Sequence, residues 1–193
     1  MPSPVGHSIA AAILHEWLPP GRRGPLWLVV ALVSANLPDL DFVPGMLTGN
    51  ADRFHHGPVH SFSVAVIWGA LVLGAARLRM PAREAGALGL LAGAAFASHV
   101  FLDMFSIDSR PPFGVPALWP LWGGYVVSPV ELFMDICRQR DTALFLRSLL
   151  QPHNFLAVAW EGALVGGLYL VLRVVRRRRM VAPPSGPGLS REG

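Results

Sequence analysis

Three long apolar stretches constrain the fold of this chain more strongly than any other feature of the sequence. They cover residues 59–76, 85–105 and 155–175. A run of about 18 or more apolar residues is long enough to form a transmembrane helix. Two shorter apolar runs, 5–18 and 25–37, precede them. At about 1.5 Å per residue each shorter run spans only about 20 Å, which predicts a short helical hairpin that is tilted or partly re-entrant.

The composition agrees with a membrane protein. Hydrophobic residues make up 52% of the chain and charged residues 15%, whereas about a quarter of the residues in a soluble domain are charged. We therefore predict an all-α polytopic membrane protein with about five helical hydrophobic segments. Every basic residue is an arginine, which excludes lysine Schiff-base chemistry and a phosphate-binding P-loop. The single cysteine, Cys137, excludes an intrachain disulfide and a cysteine-built zinc site.

The arginines predict an orientation in the membrane. They bunch after the first, third and fifth apolar runs, as Arg22 and Arg23, as Arg77, Arg79 and Arg83, and as Arg173 and Arg176 to Arg179. Alternating crossings place these clusters on one side, which the positive-inside rule makes cytoplasmic. The C-terminus is then cytoplasmic, and residues 106–153 form an extracytoplasmic excursion. This pattern predicts membrane lipids, and not nucleic acid, as the partner.

The chain is predicted to form a single membrane-embedded domain over residues 1–178. In the extracytoplasmic excursion, residues 128–150 have an amphipathic helical pattern, with Ser128 as N-cap and Pro129 at the first helical position. The segment 179–193 is basic and then rich in proline, glycine and serine. This composition predicts a disordered cytoplasmic tail.

Histidine and aspartate residues from four segments reach the same predicted face, the extracytoplasmic one. They are His7, Asp39, Asp41, His55, His60, His99 and Asp103. The orientation is assigned from the arginines alone, so the convergence of these histidines and aspartates on one face is an independent check of it. Imidazole and carboxylate are the ligands that suit zinc, and mixed sets of the two also suit manganese or iron. The sequence therefore predicts a metal or catalytic site at this face.

Local spacing supports the site. His99 and Asp103 are four residues apart and share one face of a helix, and ionisable residues within a membrane helix indicate function by default. Considered singly, His7 could be an interfacial residue, Asp39 a helix cap and Asp41 a solvated loop residue. Glu161 lies inside the last apolar run, where it faces the bundle or pairs with an arginine.

The ordered motifs resemble the YdjM-like family of bacterial inner-membrane proteins, which are described as predicted membrane-bound metal-dependent hydrolases. The resemblance rests on an N-terminal His7 followed by "LPDLDF" (37–42), "HHGPVHS" (55–61), "SHVFLDMF" (98–105) and "GVPALWP" (114–120). It implies an inner-membrane location and the same seven site residues. His56 stands where the family has arginine and Val59 where it has threonine. For that reason His56 is left out of the predicted site.

These observations predict a hydrolase in which metal-activated water attacks an ester or phosphoester substrate, which could be lipid-linked. Zinc is the first choice of metal. His60, His99 and Asp103 are the first candidates for ligands, and Asp39 or Asp41 would complete the metal shell or act as general base. Seven candidate ligands also leave room for two ions. The alternative is a non-enzymatic membrane protein with a structural metal site, or a transporter of metal ions or protons.

Overall fold

The structure, a computed structural model, describes residues 1–181, and all regular secondary structure in this range is helical. Its seven α-helices are α1 (Pro4–Glu16), α2 (Pro25–Asn36), α3 (Phe42–Leu47), α4 (Phe62–Arg77), α5 (Ala82–Asp103), α6 (Thr142–Ser148) and α7 (Pro152–Val181). Single turns of 3-10 helix lie at Pro20–Arg22, Pro38–Asp41 and Ala51–Phe54. The predicted all-α class is confirmed, and each of the five predicted apolar segments contains a helix.

Two helices are long and apolar enough to cross a membrane. The 22 residues of α5 correspond to about 33 Å of helix, against a hydrocarbon core of about 30 Å. In α7 the candidate span is Pro152–Arg176, and α2 together with Pro38–Leu47 forms a pair bent by 47° that would make a third. The apolar helix α4 is shorter, at 16 residues. Five crossings therefore remain a prediction.

Helix α5 lies at the centre of the bundle and packs against α1, α2 and α4. Small residues bring these helices close together, because alanines such as Ala11, Ala31 and Ala95 are fully buried between them. The closest approach is between α4 and α5, where a Cβ atom on Gly89 would lie 2.7 Å from the carbonyl oxygen of Gly69. Such small-residue contacts are typical of helix pairs in membranes.

Charged residues tie the helices together at one end of the bundle. The guanidinium group of Arg22 donates two hydrogen bonds to Glu84 at the start of α5, at 2.8 and 2.9 Å. At the same end, Arg173 of α7 lies 3.3 Å from Glu16 of α1. The predicted site residues on α5 lie at its opposite end. Which of these ends faces the cytoplasm remains a prediction.

The prediction of a helix over residues 128–150 is wrong in its first half. The helix in this region, α6, begins only at Thr142, and residues 129–140 are not helical. The backbone N–H groups of Leu132 and Phe133 instead donate to the carbonyl oxygen of Phe105, at 2.7 and 3.2 Å. Because these groups are paired with a distant segment, the amphipathic pattern does not produce a helix there.

At the C-terminal end, α7 continues to Val181. This includes the first residues of the predicted disordered segment 179–193. The remainder of that segment, 182–193, lies outside the residues that the structure describes.

Candidate metal centre

Five of the seven predicted site residues meet in a buried group, which we call the inner cluster. They come from four separate segments: His7 from α1, Asp39 from the 3-10 turn after α2, His60 from the loop before α4, and His99 and Asp103 from the end of α5. The three imidazoles are fully buried and Asp103 is 4% exposed. The predicted convergence of these segments is therefore present in the structure.

The ligating atoms of the inner cluster face one another at short distances. His99 Nε2 lies 3.1 Å from Asp103 Oδ2 and 3.6 Å from Asp39 Oδ1. Asp103 also has His7 Nε2 at 3.6 Å and His60 Nε2 at 3.7 Å. Ligand atoms bound tetrahedrally to zinc, with bonds of about 2.0–2.1 Å, are separated by about 3.3 Å. The spacing in the cluster is close to this value.

Many polar atoms of the inner cluster make no hydrogen bond. In the described part of the chain, the buried atoms in this state include both ring nitrogens of His7 and His60, Nε2 of His99, Oδ1 of Asp39 and both carboxylate oxygens of Asp103. Buried polar groups are nearly always hydrogen-bonded, and a bound ion is one explanation for a group of exceptions. The nitrogen and oxygen donors are those that zinc prefers. The residues present therefore fit a divalent ion.

Polar contacts behind two of the histidines orient their rings towards the cluster. The Nδ1–H group of His99 donates to the carbonyl oxygen of Ala35 at 2.7 Å, so the lone pair of the neutral ring is on Nε2, which faces the cluster. Nδ1 of His60 lies 3.3 Å from Asp41 Oδ2. Metal-binding histidines commonly contact a carbonyl or carboxylate through their second nitrogen. Asp41 thus lies behind His60, outside the inner cluster.

His55 lies beside the inner cluster. Its Nδ1 is 3.0 Å from Asp41 Oδ1, and its ring stacks on Phe42 at a centroid distance of 4.0 Å. Burial, followed by the neighbouring His56 and His60, lowers the pKa of His55 well below its usual value. The ring is therefore neutral, as a metal ligand must be.

His56 is as buried as His55, although no pattern in the sequence placed it in the site. It is 6% exposed, and its Nδ1 lies 3.4 Å from Asp108 Oδ2. The same oxygen accepts a hydrogen bond from the backbone N–H of Gly114 at 2.9 Å. Burial raises the pKa of Asp108, but its bonds to His56 and Gly114 outweigh this effect and hold the pKa below its usual value. We call His55 and His56 the outer histidines.

The loop that carries the outer histidines is held by an acidic residue, Asp52, whose side chain is 11% exposed. Its Oδ1 accepts a hydrogen bond from Arg138 Nε at 2.8 Å, and its Oδ2 accepts one from Arg110 Nη1 at 2.9 Å. Both arginines belong to the predicted extracytoplasmic excursion. They therefore help to fix the site loop.

Glu161 is fully buried, and its partner is Ser3 rather than an arginine. The backbone N–H and the hydroxyl group of Ser3 donate to its two carboxylate oxygens, at 2.8 and 2.5 Å. Ser3 is the N-cap of α1, where a negative charge is favourable for the helix dipole. His7 lies one turn further along the same helix. Glu161 therefore anchors the helix that carries His7 into the inner cluster.

We expect Glu161→Gln to destabilise the protein by about 1–3 kcal/mol, because one of the two Ser3 donors would then face an amide N–H₂ group instead of an oxygen. The displaced α1 should also lower the affinity for Zn²⁺. Unfolding in detergent followed by circular dichroism, together with Zn²⁺ titration, measures both effects. Glu131→Gln, at an exposed position, is the matched control. Equal effects of the two substitutions would contradict the anchoring role.

Two cavities border the site. A cleft of about 920 Å³ is lined by Asp41, the outer histidines, Arg53 and Arg140, among others. A mostly apolar cavity of about 380 Å³ reaches Asp39, and Phe42, Val43, Phe145 and Val158 are among its lining residues. Each of the two aspartates of the predicted motif therefore faces its own cavity.

The chain matches the sequence profile of a protein family described as YdjM inner membrane protein, over residues 3–180. The protein belongs to this family. The match includes every residue of the inner cluster and both outer histidines, so the predicted resemblance is confirmed. Together with the apolar helices, family membership supports a location in the inner membrane. No curated protein and no solved structure matches the chain.

Proposed function

We propose that the protein is a metal-dependent hydrolase that cleaves an ester or phosphoester bond at the extracytoplasmic face of the inner membrane. One observation carries this proposal. Five side chains from four segments bring buried nitrogen and oxygen atoms without hydrogen bonds to within ligand distance of one another, next to cavities that a substrate can enter. The family profile that matches the chain is described only as an inner membrane protein, so the reaction is argued from these residues.

In this proposal His7, His60, His99 and Asp103 would hold one divalent ion, with zinc as the first candidate, and a fifth position beside Asp39 would stay open for water. A divalent ion in such a site makes water acidic enough to provide a nucleophile near neutral pH, and it polarises the bond to be cleaved. Ala35 and Asp41 fix the rings of His99 and His60, so that their Nε2 atoms remain aimed at the ion. The protein thereby supplies a rigid set of ligands.

Asp39 is the residue that we assign to proton transfer. Its Oδ1 faces His99 at 3.6 Å and His60 at 3.8 Å. Its side chain is 13% exposed, in contrast to the fully buried side chain of Asp103. A carboxylate at the edge of the cluster can accept a proton from the attacking water and return it to the leaving group. Asp41 contacts His55 and His60 and is not assigned to this proton transfer.

The cavities support a substrate with an apolar part and a polar part. The cavity at Asp39 is lined mainly by apolar side chains, which suits the hydrocarbon chain of a lipid. The cleft at Asp41 carries the exposed arginines Arg53 and Arg140, and guanidinium groups suit a phosphate. A lipid-linked phosphoester would place its apolar part in the cavity at Asp39 and its phosphate in the cleft at Asp41.

The structure offers less support for a structural metal site or for a transporter. A structural site has all of its metal positions filled by protein and needs no cavity, whereas Asp39 and Asp41 each line one. A transporter would need polar groups along a path between the two ends of the bundle. Glu161, the predicted candidate for such a group, is bound to the N-cap of α1.

The test uses tag-free protein purified in detergent and a panel of chromogenic carboxylic esters, phosphomonoesters and phosphodiesters. We expect hydrolysis that is lost with a chelator and restored by Zn²⁺ or Mn²⁺. Asp39→Asn should lower kcat by about 10²–10⁴-fold, the usual contribution of a general base, and leave Zn²⁺ affinity within a few-fold of wild type.

The matched control is Asp141→Asn, at the N-cap of α6, where asparagine is equally acceptable. It should retain full activity. If no substrate is hydrolysed in a metal-dependent manner, or if Asp39→Asn is as active as Asp141→Asn, the proposed reaction is wrong.

A further inference from the structure

We propose that the outer histidines and Asp41 form a second divalent-cation position beside the inner cluster, so that the site holds two ions and is suited to a phosphoester. This inference deepens the proposed function and rests on it for the presence of the first ion. It also gives His56, which the sequence left out of the site, a direct role.

The ligating atoms of a second position are already close together. His55, His56 and His60 each offer a ring nitrogen, and these nitrogens lie within 4.8 Å of one another. The rings of the outer histidines are 4.2 Å apart between centroids. Asp41 connects the two positions, because its Oδ1 faces His55 at 3.0 Å and its Oδ2 faces His60 at 3.3 Å.

His56 has the environment of a metal ligand. Its Nδ1 faces the carboxylate of Asp108, and its Nε2 is buried and has no hydrogen-bond partner. An imidazole held by a carboxylate on one nitrogen and free on the other is the arrangement that commonly supports a bound metal ion. Asp108 is itself fixed by the backbone N–H of Gly114.

The backbone of the loop holds His56 in an uncommon conformation. Its φ angle is 57°, in the left-handed region that few non-glycine residues adopt. Hydrogen bonds from Gly57 N–H to Phe54 O and from His60 N–H to Gly57 O close the turn around it, at 3.1 and 2.9 Å. Such a conformation persists where the surrounding structure enforces it, often at functional sites. Here it directs the imidazole towards Asp108 and the neighbouring histidines.

The charges of the site also favour two ions. Four aspartates contact its histidines, namely Asp39, Asp41, Asp103 and Asp108. One divalent ion compensates two carboxylates, and two ions compensate all four. Charges that are buried without compensation are strongly unfavourable. Pairs of ions suit phosphoesters in particular, because they stabilise both the attacking and the leaving oxygen of an in-line displacement.

The experiment counts the ions bound per chain. Tag-free protein in detergent is dialysed to equilibrium against Zn²⁺, and the protein-bound metal is measured by mass spectrometry over a range of free Zn²⁺. We expect two equivalents for wild type and one for His56→Asn, because asparagine tolerates the left-handed conformation but offers no imidazole. His153→Asn, at an exposed histidine outside the site, is the matched control and should bind two.

A second variant, Asp108→Asn, tests the same metal position in case His56→Asn does not fold. Asp108→Asn keeps His56 but weakens the carboxylate behind it, and it should lower the affinity of the second ion by about 10–100-fold with the first ion unchanged. One equivalent in wild type, with no change in either variant, overturns the second position and leaves the proposed function standing. Two equivalents with wild-type affinity in both variants also overturn it. No bound metal in wild type overturns both proposals.

Discussion

Replacement of Asp103 by asparagine is expected to lower the affinity for Zn²⁺ by more than about 100-fold, beyond the range found for residues that only support a ligand. Asp103 is the carboxylate that faces all three imidazoles of the inner cluster, at 3.1, 3.6 and 3.7 Å. Asparagine has nearly the same shape but no negative charge to attract the cation. Isothermal titration of metal-free protein with Zn²⁺ measures the change directly.

The control for Asp103→Asn is the same substitution at Asp141, far from the inner cluster in the sequence and outside its contacts. Circular dichroism should show unchanged helix content in both variants. A Zn²⁺ affinity of Asp103→Asn within a few-fold of wild type would mean that the inner cluster does not bind the ion. In Asp103→Asn both hydrolysis and Zn²⁺ binding should fall. In Asp39→Asn hydrolysis should fall while Zn²⁺ binding is retained.

Gly89→Ala is expected to lower the free energy of unfolding by about 1–3 kcal/mol, the usual cost of adding atoms to a tightly packed interior. The new Cβ would lie 2.7 Å from the carbonyl oxygen of Gly69 and 2.7 Å from the Cβ of Leu73. Neither atom is the end of a flexible side chain, so α4 must move away from α5. Unfolding in mixed detergent and SDS micelles, followed by circular dichroism, measures the change.

Gly86→Ala provides a control on the same helix, one turn earlier. No atom lies within 4 Å of the position of its Cβ, and alanine is the better helix former by about 0.8–1.0 kcal/mol. We therefore expect this substitution to be neutral or stabilising. If Gly89→Ala lowers the free energy of unfolding and Gly86→Ala raises it, the contact between α4 and α5 is the cause of the destabilisation. If Gly89→Ala were also stabilising, the close packing of α4 on α5 would be wrong.

The helices of this fold could be predicted because their signal is local. Long apolar runs have few alternatives to a helix, and all five runs contain a helix. The bend between α2 and Pro38–Leu47 could not be predicted from an apolar run, because it depends on how the chain packs after Pro38. The segment 129–140 shows the same limit, since its backbone pairs with Phe105 and its amphipathic pattern is overridden.

The inner cluster could be predicted because two independent patterns agreed. The arginines oriented the segments, and the i, i+4 spacing of His99 and Asp103 placed two ligands on one face. The supporting contacts could not be predicted in this way. Asp108 behind His56 and Ser3 on Glu161 join residues that are 52 and 158 positions apart, and no local pattern in the sequence links them.

Because the inner cluster takes its residues from four segments, binding of the proposed ion and completion of the fold would be a single linked equilibrium. His7 and Asp103 come together only when α1 has docked on α5, so the unfolded chain offers the ion no comparable site. At a free-ion concentration 1,000 times the dissociation constant, this linkage would add about 4.1 kcal/mol to stability. The amount of intact protein in the membrane would then follow the metal supply of the cell, independently of any change in its synthesis.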